Sequence, residues 1–239
     1  ATNAQMSSKH FDLTTTEQAF GDKLHVYSIV DAINDKNVLP FKVDYVKTVA
    51  AAENLADGQV KAIDTEAALT SNGRVRAVTE YILDHFDQKT KRNETYGLKE
   101  RRLRGFNSIF AVQSIDLAKK YYDEFRRQQA SSAEPLKVAT IFSFAANGDD
   151  PTEEIDGMLA DEDFDPSALD KTDADFLAGA MDDYNAMFST SYSLNNFENY
   201  YKDVSQKMKE HEIDILIVVG MFLTGFDATT LNTLWVDKN

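Results

Sequence analysis

The sequence contains no cysteine. That excludes a disulfide framework, cysteine-ligated zinc, an iron–sulfur cluster and a thiol nucleophile, and it is compatible with a cytoplasmic location. No apolar run approaches the roughly 20 residues that cross a bilayer; the longest, at 213–222, is interrupted by Asp214. The first residues, Ala1-Thr2-Asn3-Ala4-Gln5, offer neither a basic nor an apolar stretch, so they do not read as a signal peptide. The chain does not begin with Met and stops at Asn239 just past an apolar run, which leads us to expect a fragment of something longer. No G-x-x-x-x-G-K-[S/T] phosphate cradle and no G-x-S-x-G elbow is present. His10, His25, His85 and His211 form no pair on a helix face, and no calcium-loop pattern occurs, so no metal site is expected. No complete catalytic apparatus stands in the chain, and no catalytic residue is assigned.

What is there suffices for a core: hydrophobic residues make up 43% of 239, which excludes wholesale disorder. The net charge of −15 argues against a nonspecific nucleic-acid binder as a whole, but the charge is unevenly placed. Residues 149–183 hold 14 acids against Lys171, a local net of −13, so the remaining 204 residues carry only −2. The acidity belongs to one insertion. A basic stretch, Arg74, Arg76, Lys89, Lys91, Arg92, Lys99, Arg101, Arg102 and Arg104, stands elsewhere. It reads equally as a solvated face or as a phosphate-contacting patch.

Periodicity organises the rest. A capping box at Thr14 and Glu17 predicts a short helix over 14–20. Alternation predicts strands over 24–30 and 41–46, with a short helix at 31–36 between them. Residues 47–73 read as a helical or irregular connection, and 74–86 as a helix with Val75, Val78, Ile82 and Phe86 on one face. A basic loop follows at 87–105. From there the reading is a strand at 107–113, a helix to about 129 capped by Ser114, a strand at 136–143, the acidic segment 147–185 as loop or short helices, a helix at 197–209, the strongest strand at 213–219 and a last one at 233–236. Apolar strands alternating with helices predict an α/β fold with a parallel sheet covered on both faces. Such sheets present ligands at the carboxyl ends of their strands, so the loops after Gln113, Ser143 and Val219 are the places for chemistry. The aromatics Tyr121, Tyr122, Phe142, Phe144, Tyr200 and Tyr201 read as packing residues, with base stacking as the minor alternative.

The loop after the strongest strand runs Gly220-Met221-Phe222-Leu223-Thr224-Gly225-Phe226-Asp227-Ala228. Gly225 permits a close backbone approach, Thr224 supplies a hydroxyl and Asp227 a carboxylate suited to a ribose hydroxyl or a cation. The competing reading is a plain strand–turn–helix junction with Asp227 as N-cap.

The string D-I-L-I-V-V-G-M-F-L-T-G-F-D-A-T-T-L-N-T-L-W-V-D-K-N, over 214–239, closely resembles the segment around helicase motif V in the restriction (R, or HsdR) subunit of type I restriction–modification enzymes. L-H-V-Y-S-I-V-D-A-I-N-D-K-N-V-L-P-F-K-V-D-Y (24–45), G-F-N-S-I-F-A-V-Q-S-I-D-L-A-K-K-Y-Y (105–122) and K-V-A-T-I-F-S-F-A-A-N (137–147) resemble that family in the same order. The resemblance implies a multidomain motor with an endonuclease domain and two RecA-like superfamily-two helicase lobes, a type I site-specific deoxyribonuclease that uses ATP and Mg to translocate duplex DNA. It further implies modification (methyltransferase) and specificity subunits as partners, with no membrane involved. This chain would be the second RecA-like lobe, 47–239, preceded by an inter-lobe connecting segment, 1–46.

Residue by residue, the resemblance makes Gly225 and Asp227 candidates for the nucleotide-facing side. Thr224 becomes a candidate for a DNA-backbone contact or for coupling, and Ser108, Gln113 and Ser114 become weaker nucleic-acid candidates around motif IV (106–113). Arg101, Arg102 and Arg104 are a hypothetical second DNA contact. Thr229 departs from the pattern, which has Pro there. The Walker lysine, motif II and the nuclease carboxylates would lie before Ala1 and motif VI beyond Asn239, so the isolated chain is expected to be inactive. Two other readings stand beside this one: a noncatalytic docking module using the acidic insertion, and a lobe of another superfamily-two motor such as a type III restriction subunit.

Overall fold

A computed structural model of the chain describes residues 27–48, 69–142, 170–220 and 226–238. The chain divides into two compact units, Ala1–Lys47 and Thr48–Asn239.

In the first unit, Ile29–Asn34 is a helix (α1). The strand expected over 24–30 is therefore replaced, from Ile29 onward, by helix. The reason is local. The Ser28 hydroxyl accepts from the Asp31 N–H, and the Asp31 carboxylate accepts from the Ser28 N–H at 2.8 Å, a reciprocal capping box that outweighs the β-branched residues. The strand expected over 41–46 does not form either; this stretch joins no ladder and its apolar side chains are exposed. The helix expected at 14–20 lies outside the described residues, as does most of the 47–73 connection.

The second unit is built on four parallel strands in the order β4-β5-β3-β6, with β3 at Asn107–Val112, β4 at Val138–Phe142, β5 at Ile215–Val219 and β6 at Leu231–Asp237. Helices cover both faces. Asn72–Lys89 (α2) and Ile115–Gln129 (α3) pack on one face, where Phe110, Val112, Ile215 and Ile217 meet Ile82, Phe86, Tyr121 and Phe125. Lys171–Phe188 (α4) and Phe197–Lys209 (α5) pack on the other, where Ile109, Ala111, Leu216 and Val218 meet Leu177, Met181, Tyr200 and Val204. Alternate residues of β3 and β5 thus face different helix layers, and both sets are buried. That is why their sequences read as unbroken apolar runs.

Two expectations are corrected here. The basic loop is in fact the end of α2 followed by an antiparallel hairpin, Thr95–Leu98 (β1) with Arg101–Arg104 (β2). The arginines of β2 hide the pattern. The last part of the acidic segment is α4, opened by Asp170, whose side chain accepts from the Asp173 N–H at 2.8 Å. Its acids are partly matched within the fold: Asp173 pairs with Lys119 of α3, and Asp183 pairs with Arg126 and accepts from the Tyr122 hydroxyl. Phe176 of α4 packs against both core layers and meets the Tyr122 ring, so α3 and α4 come together at the β4 side of the sheet. Residues 149–169 lie outside the described residues.

Gly105 joins the hairpin to β3 with φ +67, and a Cβ there would stand 2.6 Å from the Arg92 Cα. Both the left-handed backbone and the collision with main chain resist any side chain. Gly105→Ala is expected to lower stability by more than about 1 kcal/mol in urea unfolding, whereas Gly73→Ala, where nothing lies within 4 Å, is expected to be neutral or stabilising.

Candidate functional site

The carboxyl ends of β3 and β6 lie side by side, Val112 opposite Asp237. Ser114 sits just beyond, with φ −145 and ψ 161, and its hydroxyl accepts from the Leu117 N–H at 3.3 Å to cap α3. Gln113 is exposed beside it. Beneath them is a polar cluster. The Asp237 carboxylate is clamped by both terminal nitrogens of Arg74, Nη1 to Oδ2 at 2.8 Å and Nη2 to Oδ1, and takes a 2.5 Å hydrogen bond from the Tyr121 hydroxyl. Arg74 donates further to the Thr48 hydroxyl and the Leu69 carbonyl, both at 2.9 Å. The pair is nearly dry, the side chains 9% and 12% exposed.

Its electrostatics follow from that burial. Desolvation pushes the Asp237 carboxyl up, but the hydrogen bonds from Arg74 and Tyr121 outweigh it and hold the group below the ordinary carboxylate range. The bond to Asp237 raises Arg74, and burial first, then the neighbouring carboxylate, raises Tyr121. The bidentate fork fixes the start of α2 to the end of β6. Sequence reading misses this cluster: Arg74 stands in the basic stretch, Tyr121 reads as packing, and Asp237, just past the strand expected at 233–236, is given no role. Arg74 and Asp237 are 163 positions apart, and no local pattern joins them.

Among the described sequence candidates, Gln113 and Ser114 stand at this rim and the others do not. Ser108 is fully buried near the amino end of β3, its N–H donating to the Asp214 carbonyl at 2.9 Å and its hydroxyl close to the same atom. Arg101, Arg102 and Arg104 lie on β2, which leads into the amino end of β3 and so stands at the opposite end of the sheet. Thr224 and Gly225 lie outside the described residues. Asp227 is exposed and precedes the amino end of β6, with Phe226 beside it under the Lys209 ammonium (5.4 Å to the ring centroid) in the last turn of α5. No helix follows, so the N-cap reading of Asp227 is corrected; the Leu231 N–H donates to the Ala228 carbonyl and β6 begins. A crossover between parallel strands must return the chain to the amino side, and at Asp227 it has done so.

The hairpin is firmly seated there. Tyr96 stacks on Phe106 with centroids 4.4 Å apart, Leu103 is buried, and the Arg104 Nε donates to the Arg92 carbonyl at 2.7 Å. Arg92 in turn reaches Asp214 at 3.3 Å. Among the described residues no carboxylate pairs with Arg101, Arg102 or Arg104, and no group of three or more His, Asp and Glu side chains is placed to hold a metal.

Asp237→Ala leaves a buried guanidinium without its counter-charge. The expected loss is about 3–5 kcal/mol in chemical unfolding. Because the folded-state pKa of Asp237 is depressed, its contribution is present above the unfolded value near pH ~3.9 and disappears as pH falls through the folded value. The variant should therefore lose the part of the acid-side slope of stability that Asp237 supplies; an unchanged slope would show that the pair does not carry it.

The sequence profile of the family described as Type I restriction enzyme subunit R domain 3 matches residues 104–239. The endonuclease subunit of a type I restriction enzyme from Staphylococcus aureus is 40% identical over 234 residues, covering 95% of this chain and 22% of that protein. A counterpart from Staphylococcus saprophyticus is 38% identical over 95% of the chain. A Mycoplasma pneumoniae protein, named as the middle part of such a subunit, is 32% identical over 116 residues, 47% of this chain and 89% of that protein. The chain spans about a fifth of the length of the staphylococcal relatives. On the profile match and these identities, the chain belongs to the R-subunit family of type I restriction enzymes.

Proposed function

We propose that this chain is the second RecA-like lobe of an ATP-driven DNA motor, acting within the DNA-translocating and DNA-cleaving subunit of a type I restriction enzyme. What carries the reading is that the stretch matched by the family profile, 104–239, takes in all four strands of the parallel sheet. A rigid sheet buried on both faces moves as one body, and its end loops are where such a body can grip and sense. Superfamily-two membership, motif IV at 106–113 and motif V at 224–228 belong to this proposal, as do duplex DNA and the modification and specificity subunits as partners.

ATP with Mg is the cofactor the reading implies. The exposed Asp227 carboxylate has the chemistry to accept a ribose hydroxyl, and Gly225 the small size to admit one. The chain has no glycine-rich phosphate cradle of its own, so it contributes one edge of a nucleotide site and its own residues perform no hydrolysis. For DNA, the hairpin offers Arg101, Arg102 and Arg104 as phosphate contacts, held by Tyr96, Phe106 and the Arg92 carbonyl. Gln113 and Ser114 serve at the other end of the sheet.

Two measurements test this. The purified chain should show no DNA-stimulated ATPase above a mock preparation; turnover would overturn the division of labour. Fluorescence anisotropy with a labelled duplex should give salt-dependent binding. Arg101→Gln, Arg102→Gln and Arg104→Gln together should lower the slope of log affinity against log salt by roughly 2–3. An unchanged slope removes the hairpin from the DNA path.

A further inference from the structure

The β1–β2 hairpin has two unlike faces. Residues directly opposite in an antiparallel pair share a face. The register sets Tyr96 opposite Leu103 and Leu98 opposite Arg101 on one of them. That face looks inward, since Leu103 is buried and the Tyr96 ring stacks on Phe106. Arg101 belongs to it. Burial first, with the Arg92 and Arg101 charges behind it, lowers the pKa of the His211 imidazole just past α5, so Arg101 stands by the body of the unit. The other face carries Thr95 opposite Arg104 and Gly97 opposite Arg102, and all four are exposed.

Nothing in the fold requires glycine at position 97. Among the described residues, left-handed glycines occur only at Gly105 and Gly220, and a Cβ on Gly97 would meet nothing within 4 Å. Glycine inside a strand weakens it, and it often marks a place where a ligand or another backbone comes close. Here the bare position lies directly across from Arg102, so the approach to that guanidinium is open from the β1 side. The two arginines of this face are steadied. Arg102 Nη2 donates to the Thr95 hydroxyl at 3.5 Å, and Arg104 Nε donates to the Arg92 carbonyl at 2.7 Å. The carboxylate at the foot of the hairpin, Glu94, is taken by Lys91 at 3.4 Å. Two residues apart on one strand, Arg102 and Arg104 project from points roughly 6.8 Å apart, which lets two long side chains meet neighbouring phosphates of one strand.

We infer, resting on the hairpin's role as a DNA contact, that its grip belongs to the outer face: Arg102 and Arg104 hold two backbone phosphates of a duplex, and Gly97 is bare so that the phosphodiester chain can come against them. Arg101, on the inner face, adds little to that grip.

Fluorescence anisotropy of the 239-residue chain with a labelled duplex reads this, beside a thermal melt of each variant. Arg102→Gln and Arg104→Gln should each lower the slope of log affinity against log salt by roughly 0.9, and Arg101→Gln by less than about 0.3. Gly97→Val should weaken binding at least about tenfold, because its methyls stand in the phosphate's approach. Its melting temperature should hold or rise, since a β-branched residue suits an open strand position better than glycine. A glycine kept for the fold alone would do the reverse, losing stability and leaving affinity untouched. The arginine comparison does not depend on how Gly97→Val folds. A Gly97→Val chain that binds like the parent overturns the inference, and so does an Arg101→Gln slope as low as the other two; in both cases the hairpin remains a DNA contact. A slope indifferent to all three arginines, or no duplex binding at all, removes that role and the inference together.

Discussion

Burial of β3 and β5 on both faces is the constraint from which the rest of the second unit follows. A strand with helices above and below has no polar face to spend on function, so every exposed reactive group is pushed to the ends of the sheet. The two ends then differ in kind. At the carboxyl end the Arg74–Asp237–Tyr121 cluster locks the edge strand to two helices, with Gln113 and Ser114 above it. At the amino end a stacked hairpin presents arginines that no described carboxylate neutralises. The carboxyl end thus carries the buried clamp that holds shape, and the amino end carries exposed positive charge.

The acidic block has a dual character for the same reason. Part of it is helix α4, whose Asp173 and Asp183 are matched by Lys119, Arg126 and Tyr122 of α3. Those acids fasten two helices across the β4 side of the sheet, so they are structural, although by composition they belong with the rest of the insertion.

What could be read from sequence was what depends on a few neighbours. The apolar runs of β3, β4 and β5, and the amphipathic faces of α3 and α5 with their Ser114 cap, were legible because burial stamps a period on the residues. The first-unit strands were misread because alternation is necessary for a strand but not sufficient. Ser28 and Asp31 redirected Ile29 and Val30 into a helix, and 41–46 has the pattern but forms no strand. The hairpin was hidden because each strand has four residues and three of the four in β2 are arginines. At the candidate site the limit was distance along the chain. Asp227 reads like the tip of a loop at the carboxyl rim, and only the path of the crossover places it at the other end. The Asp237 clamp is invisible until Arg74 and Tyr121 are brought to it.

That clamp also sets a timetable. Arg74 leaves the ribosome 163 residues before its carboxylate partner exists. At about 5–20 residues per second the guanidinium spends roughly 8–33 s in the nascent chain without Asp237. During that interval α2 has no tether to the sheet edge, and β3 lacks the neighbour that will cover its outer side. The N-terminal part of this unit is thus made well before Arg74 can be paired, and β6 brings the carboxylate that pins α2 to the sheet.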